Sequence, residues 1–338
     1  MIRSPRNQAI LEGIAKANKL HREFGIRESI EENSSQVDVF QVITDLNIPL
    51  IFRPLEGLLG AFLPNPAGII VTTERTQSIQ RYTAAHELGH ALLGHRVSLD
   101  QEGVLGRGPV GIPFDYDAQE AAAESFAAEF LLPKWLYIHH AAKHKWSRSE
   151  LRNPEVVYQL SLRVGASYSA TCWGLLNHRI LRRNEVRRLL DTKVKSIKEA
   201  SGARDFLENS WGNIWQLSLD DIGGVIDGGG DDVFLIALEE NSQGGYLWDT
   251  KAIQENSFLL LSDQNRYSNE PVVGGKAYRH IVVKSDTPMS TTMLNLCERR
   301  PWEKGGNNSC FSVSFNLEDK EQGMSHCLRR KLGLLKAA

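Results

Sequence analysis

The chain has 338 residues, 41% of them hydrophobic, and a formal net charge of −2. That length suits two domains, since a single domain runs about 100–200 residues, and the near-neutral balance offers nucleic acid no global attraction. No apolar run approaches the roughly 20 residues of a membrane span, and the polar start MIRSPRNQ is no secretory signal, so a cytoplasmic protein with no membrane partner is expected. Four cysteines, Cys172, Cys297, Cys310 and Cys327, form no C-x-x-C pair and are too sparse for a disulfide framework. They read as free, mostly buried thiols.

In chain order, Asn7 to Glu28 has helical periodicity and VDVFQVITDLN gives a second, short helix. LIFRPL, LGAFLP and GIIVTT read as strands, the last two joined by the turn NPAG. A small antiparallel sheet follows, able in principle to take an extended peptide as an added strand. Next comes RYTAAHELGHALLGH, Arg81 to His95. On a helix, residues four apart lie one above the other, so His86 and His90 can direct ring nitrogens at one point. Neutral imidazole is a good zinc ligand, and Glu87, about 100° round the helix, misses that face but can reach a water beside the ion. This is the H-E-x-x-H pattern of metallopeptidases, set against the plainer reading of a core helix with two hydrogen-bonded histidines. Gly89, with Ala84, Ala85 and Ala91, leaves so little bulk that a second helix can approach and supply a further ligand.

A catalytic zinc site usually takes three protein ligands. The metzincin register fails, because Leu93 and Arg96 stand where it needs glycine and histidine. His95, five residues on from His90 and so rotated about 140° off the ligand face, reads as a surface or capping residue at the helix end. The glycine-rich stretch RVSLDQEGVLGRGPVGIPFDYD is either a cover over the cleft or a connection without function, two readings that stand level. Beyond it, DAQEAAAESFAAEFLLPKW reads as a helix ending near Pro133. Glu120 and Glu124 share one face of it, and Glu129 lies opposite. An exposed acidic face is the commoner fate of such glutamates, but the first helix lacks a third donor and this one offers it.

Further on, VVYQLSLRVGASYSATCWGLL has the helix, glycine turn and helix of a helix-turn-helix, followed by the basic RILRRNEVRRLLDTKVKSIK. Such helix pairs are more often packing units, so DNA is carried as the lesser alternative partner. Near Trp211 the composition shifts. DVFLIALEE, HIVVKS and CFSVSF, separated by turn signals, indicate an all-β sandwich.

The two helical segments together resemble the ImmA/IrrE metallopeptidases, whose pattern is R-x-F-T-x-A-H-E-x-x-H followed by E-x-E-A-N-x-F-A-A-x-L-L-x-P. Here the halves read QRYTAAHELGH and EAAAESFAAEFLLP. Counting back from Pro133, Glu120 falls at that family's third zinc ligand, while Ala122 and Glu124 depart from its second glutamate and its asparagine. Glu120 is therefore the preferred ligand, with Glu124 the alternative. The β segment resembles the chagasin-like cysteine-peptidase inhibitors, of immunoglobulin-like fold, whose loops carry N-P-T-T-G-Y-x-W, G-x-G-G and R-P-W. This chain has NSQGGYLW from Asn241, VVGG ending at Gly275, and RPWE from Arg300. The loops keep glycines and aromatics that fix shape, but the first loses its proline and both threonines.

The expected fold is α+β: a mainly helical zincin-like peptidase domain over residues 1–195 with a small antiparallel sheet and a helix-turn-helix-like part from 146. A linker (196–214), an immunoglobulin-like sandwich (215–318) and a tail (319–338) follow. The expected function is a zinc-dependent endopeptidase, with Zn2+ on His86, His90 and Glu120 and with Glu87 as general base. Tyr116, Tyr137, His139 and His140 are the chemically able oxyanion donors. By resemblance, its protein substrate is a transcriptional repressor, itself of helix-turn-helix type. The alternatives are a DNA-binding regulator with a vestigial zinc site and a cysteine-peptidase inhibitor.

Overall fold

The structure is a computed structural model and describes residues 5–33, 35–95, 98–101, 118–267, 277–286, 289–303, 306 and 308–333. The N-terminal periodic segment forms two helices, α1 (Pro5–Glu23) and α2 (Ile26–Asn33), because Gly25 takes a left-handed φ of 57° between them. Helix α3 (Val39–Asp45) starts where the Asp38 carboxylate accepts from the backbone N–H of Gln41. Strands β1 (Leu50–Arg53), β2 (Leu58–Pro64) and β3 (Ala67–Thr72) follow, then the long helix α4 (Gln77–Leu93) and the short strand β4 (Ser98–Gln101).

The sheet differs from the antiparallel one expected. β2 and β3 form the foreseen hairpin, but β3 inserts between β2 and β1, so that β1 and β3 run parallel. The chain runs up, down and up again, and the hairpin folds back over the first strand rather than away from it. β4 pairs antiparallel with the other side of β2.

Helix α5 (Ala118–Leu131) packs along α1 and across α4. Helices α6 (Lys134–Lys143), α7 (Pro154–Arg163), α8 (Tyr168–Asn177), α9 (Arg183–Leu190) and α10 (Val194–Ala200) complete the helical half. The helix, turn and helix foreseen near Gly165 are α7 and α8, with Gly165 at a φ of 68° between them. One apolar core joins this half, from Ala17 and Phe40 through Phe52 and Leu88 to Phe126, Tyr137 and Leu175.

The second half is a β-sandwich. One sheet has the order β5 (Ile214–Leu217), β7 (Val233–Glu240), β10 (Ala277–Ser285), β9 (Phe258–Tyr267). The other has β6 (Val225–Gly228), β12 (Ser309–Leu317), β11 (Met289–Arg299), β8 (Leu247–Trp248), and a short α11 (Lys251–Glu255) precedes β9. Alternating burial along β7 and β12 sends Phe234, Ile236, Phe311, Val313 and Phe315 into the space between the sheets.

The cysteine expectation fails for one pair. Cys297 and Cys310 face each other across β11 and β12 with Cα atoms 4.2 Å apart and are joined as a disulfide. Antiparallel register makes neighbours of residues that lie 13 apart in the chain. Cys172 and Cys327 are free and buried.

Among the described residues, two sets of contacts that fasten the halves together stand out. Helix α7 lies against the edge strand β5, where the Gln159 side-chain amide donates to the Ile214 carbonyl (2.8 Å) and its oxygen accepts from the Gln216 N–H (2.9 Å). Arg163 donates to the Gln216 carbonyl and to the Asp221 carboxylate, both at 2.8 Å. An edge strand left bare would invite pairing with another chain; here helix side chains satisfy it. The second fastening is made by residues read as a tail. Gly323–Met324 forms β13, which pairs antiparallel with β1, and α12 (His326–Lys331) packs on α3, with Lys331 donating to the Thr44 carbonyl.

Candidate metal centre and active site

Helix α4 is enclosed by the sheet, α3 and α5, and every residue from Gln80 to His90 is buried apart from Tyr82. Two close approaches make this possible. A Cβ on Gly60 of β2 would stand 2.4 Å from Thr83 Cγ2 and 2.9 Å from the Ile70 carbonyl oxygen, so only glycine lets the strand lie this near α4. A Cβ on Gly89 would stand 3.0 Å from the Phe126 ring and 3.2 Å from Ala123 Cα. The seam of Gly89 and Ala123 thus brings α5 to α4, as the small-residue pattern led us to expect.

Across that seam three side chains converge. The Nε2 atoms of His86 and His90 are 3.1 Å apart. Glu120 places one carboxylate oxygen 3.2 Å from His86 Nε2 and the other 3.4 Å from His90 Nε2. Both histidines are 1% exposed and the Glu120 side chain 33%, so the cluster reaches solvent on the Glu120 side. The donor spacing allows a test of fit. Zinc–ligand bonds of about 2.0–2.1 Å at tetrahedral angles put neighbouring ligand atoms roughly 3.3–3.4 Å apart. The 3.1 Å between the histidine nitrogens is close to that edge length, each of these nitrogens has a different Glu120 oxygen at 3.2 or 3.4 Å, and two nitrogens with one carboxylate are a donor set that zinc accepts. The residues therefore fit a tetrahedrally coordinated divalent cation.

The electrostatics agree. Burial alone would raise the Glu120 carboxyl, but hydrogen bonds with His86 and His90, and their charge, hold it well below the ordinary carboxylate range. Glu87 follows His86 on the helix and is fully buried, with its side chain over Gly60 of β2. Glu124 is half-buried on α5 and does not belong to the converging group. Glu129 turns the other way, to Asn18 on α1.

The oxyanion candidates are dispersed. Tyr137 is buried, with its ring against His178 and its hydroxyl facing Gly174 of α8. His140 is buried beside His139, with Arg163 and His144 as neighbours. Tyr116 lies outside the described residues, as do the centre of the glycine-rich stretch and the second inhibitor-like loop. Two further residues touch the cluster: the ring of Tyr82, which sequence reasoning passed over, stacks with that of His86 at 6.5 Å between centroids, and His95, read as a surface or capping residue, reaches His90. The i, i+4 spacing of Tyr82 and His86 was a legible signal for the first.

A large cleft of about 910 Å³ lies elsewhere, at the seam between the halves. Its lining includes Arg81 from the first turns of α4, Ser167 at the start of α8, and Asp227 and Asp232 of the sandwich. The chemistry favours the convergent donors over the larger space. No helix among the described residues is long and apolar enough to cross a membrane.

On the sandwich, the first and third inhibitor-like loops touch. The Trp302 ring packs so closely on Gly245, at a left-handed φ of 77°, that a Cβ there would stand 2.4 Å from it. The Arg300 guanidinium lies 4.5 Å over the Tyr246 ring and donates to the Gly244 carbonyl. Buried Glu298 ties the loops at their base, accepting from the N–H and side-chain amide of Asn241 and from the side-chain amide of Asn308.

Comparison with known proteins agrees with this division. Residues 43–175 match the family model of the IrrE N-terminal-like domain, peptidase family M78, and residues 230–315 match that of the chagasin family of peptidase inhibitors, I42. Among solved structures, the cysteine protease inhibitor EhICP2 from Entamoeba histolytica is 26% identical, with 31% of this chain and 96% of that one covered and a TM-score of 0.28. The solution structure of amebosin is 22% identical, with 31% and 98% covered and a TM-score of 0.25. No curated protein matches the chain. The chain thus joins an IrrE N-terminal-like, M78 peptidase-type domain to a chagasin-family domain.

Proposed function

We propose that the chain is a zinc-dependent endopeptidase acting on a protein substrate. The observation that carries the reading is the convergence of His86, His90 and Glu120, from two helices, beside the buried carboxylate of Glu87. His86, His90 and Glu120 would hold the ion; when bound, a divalent cation supplies Lewis-acid polarisation of the scissile carbonyl and makes water a better acid. Glu87 takes the proton from the attacking water on a carboxylate oxygen and returns it to the leaving amine nitrogen. Its burial beneath β2 shields that carboxylate from bulk water. The edge strand β4, paired to β2 above α4, is where an extended substrate would lie.

The resemblance to ImmA/IrrE peptidases makes a transcriptional repressor the first substrate to try. The test is incubation of the full chain with candidate helix-turn-helix repressors, with Zn2+ and with a chelator. Metal-dependent cleavage supports the reading, and repressors left intact under both conditions oppose this substrate class. The chagasin-family domain is held firmly against the peptidase domain, so its exposed loop pair is proposed to recognise the substrate or to restrain the site. Trp302→Ala, made in the full chain because β13 belongs to the peptidase sheet, separates these roles: slower cleavage favours recognition, faster cleavage restraint.

A second reading, inhibition of cysteine peptidases, is favoured by the preserved contact of Gly245, Tyr246, Arg300 and Trp302. Titrating the full chain against a papain-like enzyme tests it. DNA binding is the weaker proposal, because the start of α8 lines the seam cleft with residues of the sandwich. A gel shift without salt-sensitive retardation removes it.

A further inference from the structure

We infer that His95 is a positioning residue for the metal centre, holding the His90 imidazole in the tautomer and orientation that point its Nε2 at the ion. The inference rests on the metal-centre reading above. On a continuing helix, His95 would be turned about 140° away from His90. The helix does not continue. Gly94 takes a left-handed φ of 70° and ψ of 31°, its N–H turned to the Ala91 carbonyl, and the His95 N–H donates to the His90 carbonyl at 3.0 Å. That reversal folds residue 95 back over the last turn. The two Nδ1 atoms come to 3.0 Å, with the rings at 71° and centroids 5.0 Å apart.

The chemistry of this contact is directional. A histidine that gives Nε2 to a cation carries its proton on Nδ1, and that proton needs an acceptor when it is buried. His90 is 1% exposed, and the group opposite its Nδ1 is the Nδ1 of His95. His95 therefore accepts, with its own proton on Nε2, and disfavours the flipped His90 ring that would turn Nε2 away from Glu120. His90 is thereby held from both ends, by Glu120 and His86 at Nε2 and by His95 at Nδ1.

The test uses the full-length chain with Co2+ as the probe, read by its visible spectrum and by competition with a chromophoric chelator, beside thermal unfolding of the metal-free protein. His95→Ala is expected to weaken Co2+ binding about 10- to 100-fold and to alter the Co2+ spectrum. His95→Asn, whose amide oxygen can stand where Nδ1 stood, is expected to recover affinity and spectrum. Unchanged Co2+ affinity and spectrum in His95→Ala overturns the inference and leaves the metal centre intact. If His95→Ala also melts earlier without metal, His95→Asn decides: restored Co2+ binding upholds the inference, and failure to restore it assigns His95 a purely structural role. A wild-type chain that takes up no Co2+ overturns the metal-centre reading and this inference with it.

Discussion

In the cluster on α4 and α5, two imidazoles face one carboxylate; in the cluster around His326, one imidazole faces two. His326 Nδ1 lies 3.0 Å from Glu318 and 3.4 Å from Glu321, while the His326 N–H donates to Glu321 and Arg330 approaches Glu318 at 3.8 Å. Both clusters meet the bare geometric requirement for a metal site. Their charge differs. Glu318 and Glu321 raise the His326 imidazole to about 9, and with Arg330 the second group is a compensated ion pair network that a cation would have to displace. The first group has two imidazole nitrogens turned on each other and a single carboxylate between them, an arrangement that a cation completes. Convergence alone does not define a metal centre; the charge left over after internal pairing does.

The strongest way to break this contrast is to remove one ligand and the adjacent carboxylate separately. His86→Ala is expected to abolish metal uptake and cleavage, whereas Glu87→Gln keeps the metal and lowers kcat by roughly 10²- to 10⁴-fold. Metal analysis and single-substrate kinetics check both, and wild-type turnover by Glu87→Gln removes the general base. Next in size is the compensated pair between the halves. Asp221→Ala leaves Arg163, 6% exposed, without its carboxylate, and a destabilisation of about 3–5 kcal/mol in denaturant unfolding is expected. A much smaller loss would mean that this network, unlike the His326 one, is not held by charge.

Gly89→Val acts on the first cluster without touching a ligand. The added methyls strike Ala123 and Phe126, so stability is expected to fall by about 1–3 kcal/mol and Co2+ affinity to fall with it as Glu120 is pushed off the histidines. Unchanged affinity would show that α5 need not lie so close. The smallest effect concerns pH. The folded-state value of His326 is raised from 6.5 to about 9, so its contribution is present in full below pH 6.5 and is lost as pH rises through about 9. Unfolding midpoints measured across that window should slope downwards in the wild type and less so in His326→Gln, with metal content the same in both. A change in metal content would make the second cluster a metal site after all.

Much of the candidate site was legible because it is local. The i, i+4 histidines, the intervening glutamate and the small residues around Gly89 all belong to one helix, whose periodicity fixes their relative directions. Glu120 was legible as one of two, since Glu120 and Glu124 share a face and only the axial position of α5 against α4 chooses between them. The reading of His95 as a capping residue at the helix end agrees with its N–H on the His90 carbonyl, but its ring contact with His90 was not legible, because a rotation of about 100° per residue holds only while the helix lasts and the left-handed Gly94 ends it one residue earlier. The antiparallel expectation for the first sheet failed for a related reason: strand patterns say which residues are extended and leave open which strand lies between the others.

By itself, the sequence determined the division into a helical half and a β half, the histidine pair on one helix face, and the alternation that fills the sandwich with Phe234, Phe311 and Phe315. These follow from periodicities within single elements. Only the tertiary structure decided the Cys297–Cys310 bond, the return of residues 323–331 to the first sheet and to α3, the approach of Glu120 to the histidine pair, and the contact of His95 with His90. Each of these depends on register, on axial offset or on one backbone reversal, quantities set by how whole elements pack and not by the residues of any one of them.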